Sequence, residues 1–382
     1  MAEPTFYEFF AGGGMARAGL GDSWRCLFAN DFDPKKRESY VANWGDADFR
    51  LGDIHKLTAA DLPGHADLAW ASFPCQDLSL AGNGAGLAGE RSGSFWGFWN
   101  LMNELKTKRH APKLLVLENV IGLLTSNGGA DFTEICRALV SLGNRVGALT
   151  IDAAHFVPQS RPRLFIVCVR KDVAIPSALV RTTASEPFHS KALVRAASAL
   201  PRQVASQWLW WSLPKPGASN LRFADLVEEN PTDVAWHTAT ETKRLVGMMS
   251  DANRAKLTEA KAAGERMVGA IYRRTRHDEN GEKVQRAEVR FDGIAGCLRT
   301  PGGGSSRQFI MVVDGKKVRT RLLSGREAAR LMGLPDDYKL PARYNDAYHL
   351  LGDGLAVAAV RYLRSELLSK LVDQSNAMLA AE

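Results

Sequence analysis

Apolar and polar positions alternate at strand and helix spacing in the first 171 residues of the chain. Short apolar runs are separated by turn residues from longer segments with a helical repeat. The predicted strands are Phe6–Phe10, Trp24–Asn30, Asp67–Phe73, Leu114–Glu118 and Arg163–Val169. The predicted helices include Met15–Leu20, Ser94–Arg109 and Phe132–Leu142. Strands that alternate with helices predict an α/β fold built on a doubly wound parallel sheet.

The pattern is less regular in the middle of the chain and returns near its end. Ala235–Lys261 has helical spacing, and Glu288–Leu298 and Gln308–Val313 look like short strands. A capping signature begins a helix at Ser324, and a final helix is predicted over Leu355–Val372. We therefore expect a smaller, mixed region inserted before a regular C-terminal segment.

Charge separates the same regions. The formal net charge is +7, and residues 172–321 hold 24 Lys and Arg against 16 Asp and Glu, so the positive excess lies there. We predict a first domain over residues 1–171, a basic inserted domain over residues 172–321, and a segment over residues 322–382 that completes the first domain. A localised basic excess is typical of a surface that binds a polyanion, although a solvated basic face has the same composition.

Composition excludes several classes of protein. The chain is 45% hydrophobic and 24% charged, an ordinary balance for a soluble globular protein. Its apolar runs are shorter than the roughly 18 residues of a membrane span, and the N-terminus lacks a secretory pattern. The five cysteines are scattered and form no Cys/His motif, so we expect no metal and a reducing, cytoplasmic setting.

A glycine cluster follows the first predicted strand and opens the first helix. Phe10 precedes Gly12 and Gly14, and the free N–H groups of such a turn approach a bound nucleotide. Asp31 lies 19 residues after Gly12 at the end of the second strand, where an acid bonds ribose hydroxyls. Asp53 follows at the expected end of a third strand. These residues predict an adenosine cofactor but do not separate NAD from the others.

A second group of candidates lies at later strand ends. Cys75 follows Pro74 after an apolar run, Glu118 ends the next run, and Arg161 and Arg163 begin another. Each has an ordinary explanation, since most lone cysteines are small buried hydrophobes, acids cap helices and arginines face solvent. Together they place a nucleophile, a desolvated acid and fixed cations on successive strands, which predicts a single site.

The same motifs occur in the same order in a known protein family. The chain resembles the cytosine-C5 DNA methyltransferases over nearly its whole length. The matching segments are Phe10–Gly14, Asn30–Pro34, Gly52–Ile54, Phe73–Gln76, Glu118–Val120, Gln159–Arg163, Arg326–Glu327, Gly333–Pro335 and Gly352–Gly354. The resemblance implies a Rossmann-like class I methyltransferase sheet with an inserted target-recognition domain.

The resemblance implies a site-specific DNA (cytosine-5)-methyltransferase that uses S-adenosylmethionine. Cys75 would add to C6 of a flipped-out cytosine and so activate C5. Glu118 would engage the N3 edge of the base, and Arg163, helped by Arg161, would meet its carbonyl. The implied cofactor-binding residues are Phe10, Gly12, Gly14, Asp31, Phe32, Asp53, Ile54 and Asp353. Asp353 stands where the family usually has Asn.

DNA contacts are expected in the basic insertion and beside the nucleophile. The candidates are Ser79, Arg91, Arg273, Arg274, Arg276 and Arg299. The glycine-rich Gly82–Gly89 is interpreted either as a mobile loop that closes over DNA or as a slack connector. Cys297 replaces a usual Thr beside Leu298, and Trp208–Trp211 favours a core cluster over a base-stacking platform.

The expected partner is double-stranded DNA, bound by a monomer without a membrane or a metal. A restriction–modification enzyme would also have a cognate endonuclease for the same site. One alternative is a tRNA cytosine methyltransferase, which the basic insertion and the missing Cys-Phe-Thr segment disfavour. Another is a catalytically silent DNA-binding relative, which the intact Cys75, Glu118, Arg161 and Arg163 disfavour.

Overall fold

The computed structural model describes residues 3–74, 93–217, 219–277, 280–300 and 307–379. Within these residues the chain forms two compact units. The larger unit comprises Met1–Asp152, Pro162–Pro216 and Val357–Glu382, and the smaller unit comprises Ala153–Arg161 and Gly217–Ala356.

The described residues form strands and helices with the following bounds. The strands are β1 (Thr5–Phe9), β2 (Arg25–Asp31), β3 (Phe49–Leu51), β4 (Leu68–Ala71), β5 (Leu114–Val120), β6 (Asn144–Asp152), β7 (Pro162–Arg170), β8 (Val180–Arg181), β9 (Trp208–Trp211), β10 (Met267–His277), β11 (Lys283–Arg290), β12 (Phe309–Asp314) and β13 (Lys317–Leu322). The helices are α1 (Met15–Leu20), α2 (Pro34–Trp44), α3 (Ser94–Thr107), α4 (Ala130–Ser141), α5 (Lys191–Ser198), α6 (Arg202–Ala205), α7 (Ala239–Gly247), α8 (Asp251–Ala262), α9 (Gly325–Leu331), α10 (Tyr344–Asp353), α11 (Val357–Leu363) and α12 (Ser369–Leu379). A π-helical turn, Arg364–Leu368, joins α11 to α12.

The larger unit is built on one sheet with the strand order β3-β2-β1-β4-β5-β7-β6-β9-β8. The strands from β3 to β5 are parallel, whereas β7 runs antiparallel between β5 and β6. The strand order reverses between β1 and β4. Open α/β sheets bind ligands at the carboxyl ends of the strands beside such a reversal. The predicted α/β class is confirmed. The strand β7 was predicted over Arg163–Val169, but its antiparallel direction was not.

The central strands are buried along their whole length. Every residue of β1 and β4 is buried, which is typical of strands covered on both faces by helices. Phe9, Phe98 and Phe132 share one core cluster. The packing of α1 on α11 requires glycine, because a Cβ on Gly19 would lie 2.3 Å from the Cβ of Val360. This core supports the carboxyl edge of the sheet.

The smaller unit is built on an antiparallel sheet with the order β11-β10-β12-β13. Leu245 of α7 and Leu257 of α8 join Ile271, Val289 and Met311 of the sheet in one core cluster. The capping signature of α9 is confirmed, since the Ser324 hydroxyl accepts from the Glu327 amide and the Glu327 carboxylate accepts from the Ser324 amide.

The structure differs from the predicted elements of the middle region. The predicted helix Ala235–Lys261 is two helices, α7 and α8, separated at Ser250, which occupies the position before α8. The predicted strand Glu288–Leu298 ends early, because β11 stops at Arg290. Propensity alone does not locate such breaks, because tertiary packing decides them.

The boundaries of the two units also differ from the predicted domains 1–171, 172–321 and 322–382. Strand β9 pairs with β6, so residues 172–216 pack with the larger sheet. Helices α9 and α10 pack in the smaller unit. Strand pairing decides which segments pack together, and the pairing cannot be inferred from composition or charge.

Candidate active site

The turn after β1 is shaped for a close approach of its backbone. Phe10, Gly12 and Gly14 all have positive φ, at 57°, 56° and 76°. A Cβ on Gly12 would meet no atom within 4 Å, so the space beside this residue is open. A Cβ on Gly14 would lie 2.3 Å from Nε1 of Trp44, so this position admits only glycine. The turn therefore leaves open space beside Gly12, which is itself partly buried.

The end of β2 is tied to this turn through Asp31. Its carboxylate accepts from the amide of Gly12 at 2.9 Å and from the amide of Asp33 at 3.0 Å. The next residue, Phe32, is 66% exposed, which is unusual for a large aromatic side chain. An acid beside an unburied ring at a strand end is an arrangement that fits a nucleoside.

The end of β3 lies beside the end of β2. The side-chain amide of Asn30 donates to the carbonyls of Arg50 and Gly52, each at 2.9 Å, and so joins the two strand ends. Asp53 then accepts from the amide of His55 at 3.0 Å, and Ile54 is buried. The structure thus brings the predicted acids Asp31 and Asp53 to one edge of the sheet.

The end of β4 leads toward the predicted nucleophile. Phe73 is buried against Phe95, with ring centroids 5.8 Å apart. The side-chain amide of Asn119, in β5, donates to the Phe73 carbonyl at 3.4 Å. This hydrogen bond fixes the backbone just before Pro74. Cys75, the loop at 82–89, Ser79 and Arg91 lie outside the described residues, so their roles stay predictions.

Glu118 and Arg163 form a buried ion pair. The Arg163 Nε lies 3.1 Å from Oε1 of Glu118, and the two side chains are only 15% and 10% exposed. In the antiparallel register Glu118 is opposite Phe165, two residues from Arg163. Diagonal residues of this kind lie on the same face of a sheet, within reach of long side chains. The ladder between β5 and β7 therefore brings together two residues that are 45 positions apart.

Arg161 belongs to a different environment from Arg163. It is 1% exposed and lies in the smaller unit, where its guanidinium donates to the carbonyls of Leu298 and Gly352 at 2.9 Å each and to that of Gly354. Its predicted contact with the base stays a prediction. These hydrogen bonds to carbonyls favour a positioning role within the smaller unit.

The remaining predicted residues also lie in the smaller unit. Asp353 is the last residue of α10 and accepts from the Thr300 hydroxyl, so its cofactor contact stays a prediction. Arg299 is exposed. Arg274 and Arg276 both pair with Glu288, whereas Arg273 lies over the Phe309 ring at 5.0 Å. The three neighbouring arginines therefore do not form one cluster.

Three residues with structural roles at these sites were not singled out from the sequence. Asn119 holds the segment before Cys75, and Gln159 is fully buried, donates to the Leu331 carbonyl at 2.7 Å and accepts from the Leu298 amide. Thr300 binds Asp353. Asn119 and Gln159 stand inside the matching motifs Glu-Asn-Val and Gln-x-Arg-x-Arg. Their place in these motifs could have marked them in the sequence as residues with a role at the site.

In the part of the chain that the structure describes, no group of His, Cys, Asp or Glu side chains is arranged to hold a metal ion. Among the described residues, Cys26, Cys136, Cys168 and Cys297 form no disulfide bond. Burial raises the pKa of the Cys26 thiol to about 12, and burial also raises the pKa of Cys136 and Cys168. Among the described helices, none is long and apolar enough to cross a membrane.

The sequence profile of the C-5 cytosine-specific DNA methylase family matches residues 4–369. The chain belongs to this family, and the predicted enzyme class, DNA (cytosine-5)-methyltransferase, is confirmed. Among curated relatives, it is 27% identical to the type II methyltransferase M.HpaII of Haemophilus parainfluenzae, with 96% of this chain and 90% of that protein covered. It is 26% identical to the type II methyltransferase M.HhaI of Haemophilus parahaemolyticus, with 96% and 94% covered.

Solved structures share the fold. The S. pombe Dnmt2 methyltransferase superposes with a TM-score of 0.59 at 18% identity and covers 97% of this chain and 99% of its own. The Entamoeba histolytica methyltransferase EhMeth superposes with a TM-score of 0.60 at 13% identity and covers 98% and 99%. At these identities the likeness supports the architecture of the sheet and not the substrate.

Proposed function

We propose that this enzyme methylates C5 of a flipped-out cytosine in double-stranded DNA through a covalent adduct of Cys75. The observation that carries the proposal is the buried ion pair of Glu118 and Arg163 at the end of β5. Strands β4 and β5 are parallel, so this pair lies at the edge of the sheet where β4 leads to Pro74 and Cys75.

The residues at the switch point fit a nucleoside cofactor. The open space beside Gly12 admits a ligand against the backbone, Phe32 offers an exposed ring for the adenine, and Asp31 is oriented by two amides. Phe10, Gly14, Asp53 and Ile54 complete the proposed set. S-adenosylmethionine, the donor that this family membership implies, supplies an electrophilic methyl group when it is bound there.

The chain's own residues supply the activation of the base. Cytosine C5 is a weak nucleophile. The Cys75 thiolate forms a bond to C6, and the electron pair of the C5–C6 double bond shifts toward C5 and the ring. After C5 is methylated, loss of the C5 proton restores the double bond and expels Cys75 as a thiolate. A cysteine at this position therefore divides one difficult substitution into two easier steps.

Glu118 and Arg163 orient and stabilise the base. Glu118 faces the N3 edge, and Arg163 donates to the base carbonyl from a planar fork that cannot lose its charge. Their mutual contact at 3.1 Å holds both groups before the base arrives. Since both are largely buried, their interaction with the base is stronger than it would be in water.

The DNA partner follows from the chemistry and the charge. C5 and C6 are inaccessible in a stacked duplex, so the cytosine is flipped out of the helix. The exposed arginines Arg274, Arg276 and Arg299 of the smaller unit contact phosphates and base edges, and the basic excess of residues 172–321 provides their electrostatic attraction. The type II relatives support a role in a restriction–modification system, with an endonuclease that reads the same site.

The test begins with bisulfite sequencing of host DNA that carries the expressed gene, which identifies the methylated site. A duplex with 5-fluorocytosine at that site then traps the adduct, because fluorine cannot leave C5 as a cation. We expect the wild-type enzyme to form a complex that survives denaturing electrophoresis, and Cys75→Ser to form none while it still binds the duplex. Turnover by Cys75→Ser would overturn the mechanism. Methylation of tRNA without methylation of the duplex would show that the substrate is tRNA and not DNA.

A further inference from the structure

The segment Cys297–Thr300, which we call the recognition segment, is held from several sides within the smaller unit. Leu298 is 1% exposed, its amide donates to Oε1 of Gln159 at 3.1 Å, and its carbonyl accepts from Arg161 at 2.9 Å. Arg299, the next residue, is exposed. A buried anchor beside an exposed arginine is an arrangement that presents one cation in a fixed place.

The C-terminal end of α10 forms the other side of this support. A Cβ on Gly352 would lie 2.9 Å from the Thr300 amide nitrogen and 3.1 Å from the Arg299 carbonyl carbon. The two backbones therefore pack in direct contact, and only glycine admits it. At the same place, the carbonyls of Gly352 in α10 and of Gly354 just after it accept hydrogen bonds from Arg161.

Asp353 connects the two sides through its side chain. The Thr300 hydroxyl donates to Oδ1 of Asp353. Asp353 is the last residue of α10, and a carboxylate there faces the negative end of the helix dipole. Helix stability therefore does not favour an acid at this position. Asp353 is exposed, and its hydrogen bond with Thr300 gives the carboxylate a specific partner within the smaller unit.

We infer that Asp353 is a positioning residue for target recognition, which fixes the recognition segment through Thr300 so that Arg299 meets the DNA. The inference rests on the proposed function and adds to it a residue that controls substrate recognition. It differs from the cofactor contact implied by the family resemblance, because Asp353 accepts a hydrogen bond from Thr300 of the recognition segment.

The variants Asp353→Ala, Asp353→Asn, Thr300→Val and the double variant Asp353→Ala/Thr300→Val test this inference in the full-length enzyme. The readouts are the KM for a duplex bearing the site identified by bisulfite sequencing, kcat, the Kd for a duplex without the site, and the Kd for S-adenosylmethionine. Asp353→Ala and Thr300→Val should each raise the KM for the specific duplex about 5-fold, the usual net effect of losing one hydrogen bond, because this bond is exposed to water.

If Asp353 positions the recognition segment, three further outcomes are expected. Asp353→Asn, which keeps an acceptor oxygen, should restore the KM to within about twofold of wild type. The double variant should be no worse than either single variant, because both remove the same hydrogen bond. The Kd values for cofactor and for the unspecific duplex should not change, whereas a general loss of structure would change both.

The opposite pattern would overturn the inference. A weaker cofactor Kd in Asp353→Ala with a normal Thr300→Val would make Asp353 a cofactor residue, and additive effects in the double variant would show two independent roles. If Asp353→Ala does not fold, Thr300→Val alone still decides, since an unchanged KM there rejects the positioning role. Failure of the proposed function itself would show separately, as wild-type enzyme that methylates no cytosine in any duplex.

Discussion

Nε of Arg163 lies 3.1 Å from Oε1 of Glu118, and the register of β5 with β7 places the two side chains diagonally on one face of the sheet. The pair is oriented by the backbone ladder and is largely buried. A group held in this way costs little reorganisation when the base binds, which is the condition for strong electrostatic stabilisation.

Removing the charge of Glu118 should slow methyl transfer strongly. Glu118→Gln keeps the size of the side chain but loses the carboxylate, and we expect kcat to fall by roughly 10²–10⁴, the usual contribution of a positioned acid or base. The measurement is transfer of a tritiated methyl group to DNA. Glu134→Gln, which breaks an exposed pair with Arg137 on α4, is the matched control and should keep the wild-type kcat. A Glu118→Gln enzyme with more than about a tenth of wild-type kcat would contradict the assignment.

Phe32 should contribute to cofactor binding and little to stability. Its ring is 66% exposed, so Phe32→Ala should change the free energy of unfolding by no more than about 0.5 kcal/mol. Loss of stacking on the adenine should weaken cofactor binding by roughly 3–10-fold, from an aromatic interaction of about 1 kcal/mol. Calorimetric titration with S-adenosylmethionine measures the Kd. Leu221→Ala, at a 41% exposed side chain of the smaller unit, should leave that Kd unchanged.

The arginines of β10 lie on opposite faces of their sheet. Arg274 and Arg276 face the same side of the sheet as Glu288. The Nε of Arg274 lies 3.4 Å from Oε2 of Glu288, and the Nε of Arg276 lies 2.7 Å from its Oε1. In the register of the two strands, Arg274 is directly opposite Arg286. Like charges placed opposite each other destabilise a sheet unless an anion offsets them. Arg273 lies on the other side, over the Phe309 ring.

This division predicts different effects of neutralising the arginines. Arg274→Gln with Arg276→Gln should weaken DNA binding and flatten the plot of log K against log salt by about 0.9 for each phosphate that the enzyme no longer neutralises. Arg273→Gln should leave that slope unchanged and lower the melting temperature. Gel-shift titrations at several salt concentrations give the slope, with Arg254→Gln on α8 as a control for net charge. Equal slopes for all variants would remove this face from the DNA interface.

Glu288 should weaken the binding of Arg274 and Arg276 to DNA phosphates. It pairs with both Arg274 and Arg276, so it competes with phosphate for them. Glu288→Gln should therefore tighten binding to unspecific duplex and steepen its salt dependence, while Glu288→Asp should stay close to wild type. A weaker affinity in Glu288→Gln would mean that the carboxylate orders the arginines for binding.

Glu8 should make stability depend on pH. Its side chain is buried in β1, its Oε2 lacks a hydrogen-bond partner among the described residues, and burial raises its pKa to about 8. A carboxyl group that prefers its proton in the folded state stabilises fully below its unfolded pKa of 4.5, and this contribution is lost as pH rises toward 8. The free energy of unfolding should thus decrease over this window.

Glu8→Gln should remove that decrease. The variant resembles the protonated side chain, so it should match wild type near pH 4.5 and exceed it at pH 8 by on the order of a few kcal/mol. Urea unfolding at half-unit pH steps measures the difference. Parallel curves for the two proteins would show that Glu8 does not titrate in this window.

The sequence determined the fold class, the strands that carry the site and the enzyme family. Apolar runs marked β1, β2, β4, β5 and β7, because strands covered on both faces are continuously apolar. The order of Gly12, Asp31, Cys75 and Glu118 at the ends of these strands predicts one site, since carboxyl ends of parallel strands meet at one edge. Arg163 begins β7, and the antiparallel direction of that strand, which the sequence did not predict, brings it to the same edge.

Tertiary structure alone decided which neighbours share an environment. Arg161 and Arg163 are two residues apart, yet the first is buried among carbonyls of the smaller unit and the second pairs with Glu118. Arg273 and Arg274 are adjacent, yet they occupy opposite faces of β10. A sequence pattern reports which residues are polar or charged. Strand register and packing decide which atoms they reach, because the partner atoms belong to segments that are distant along the chain.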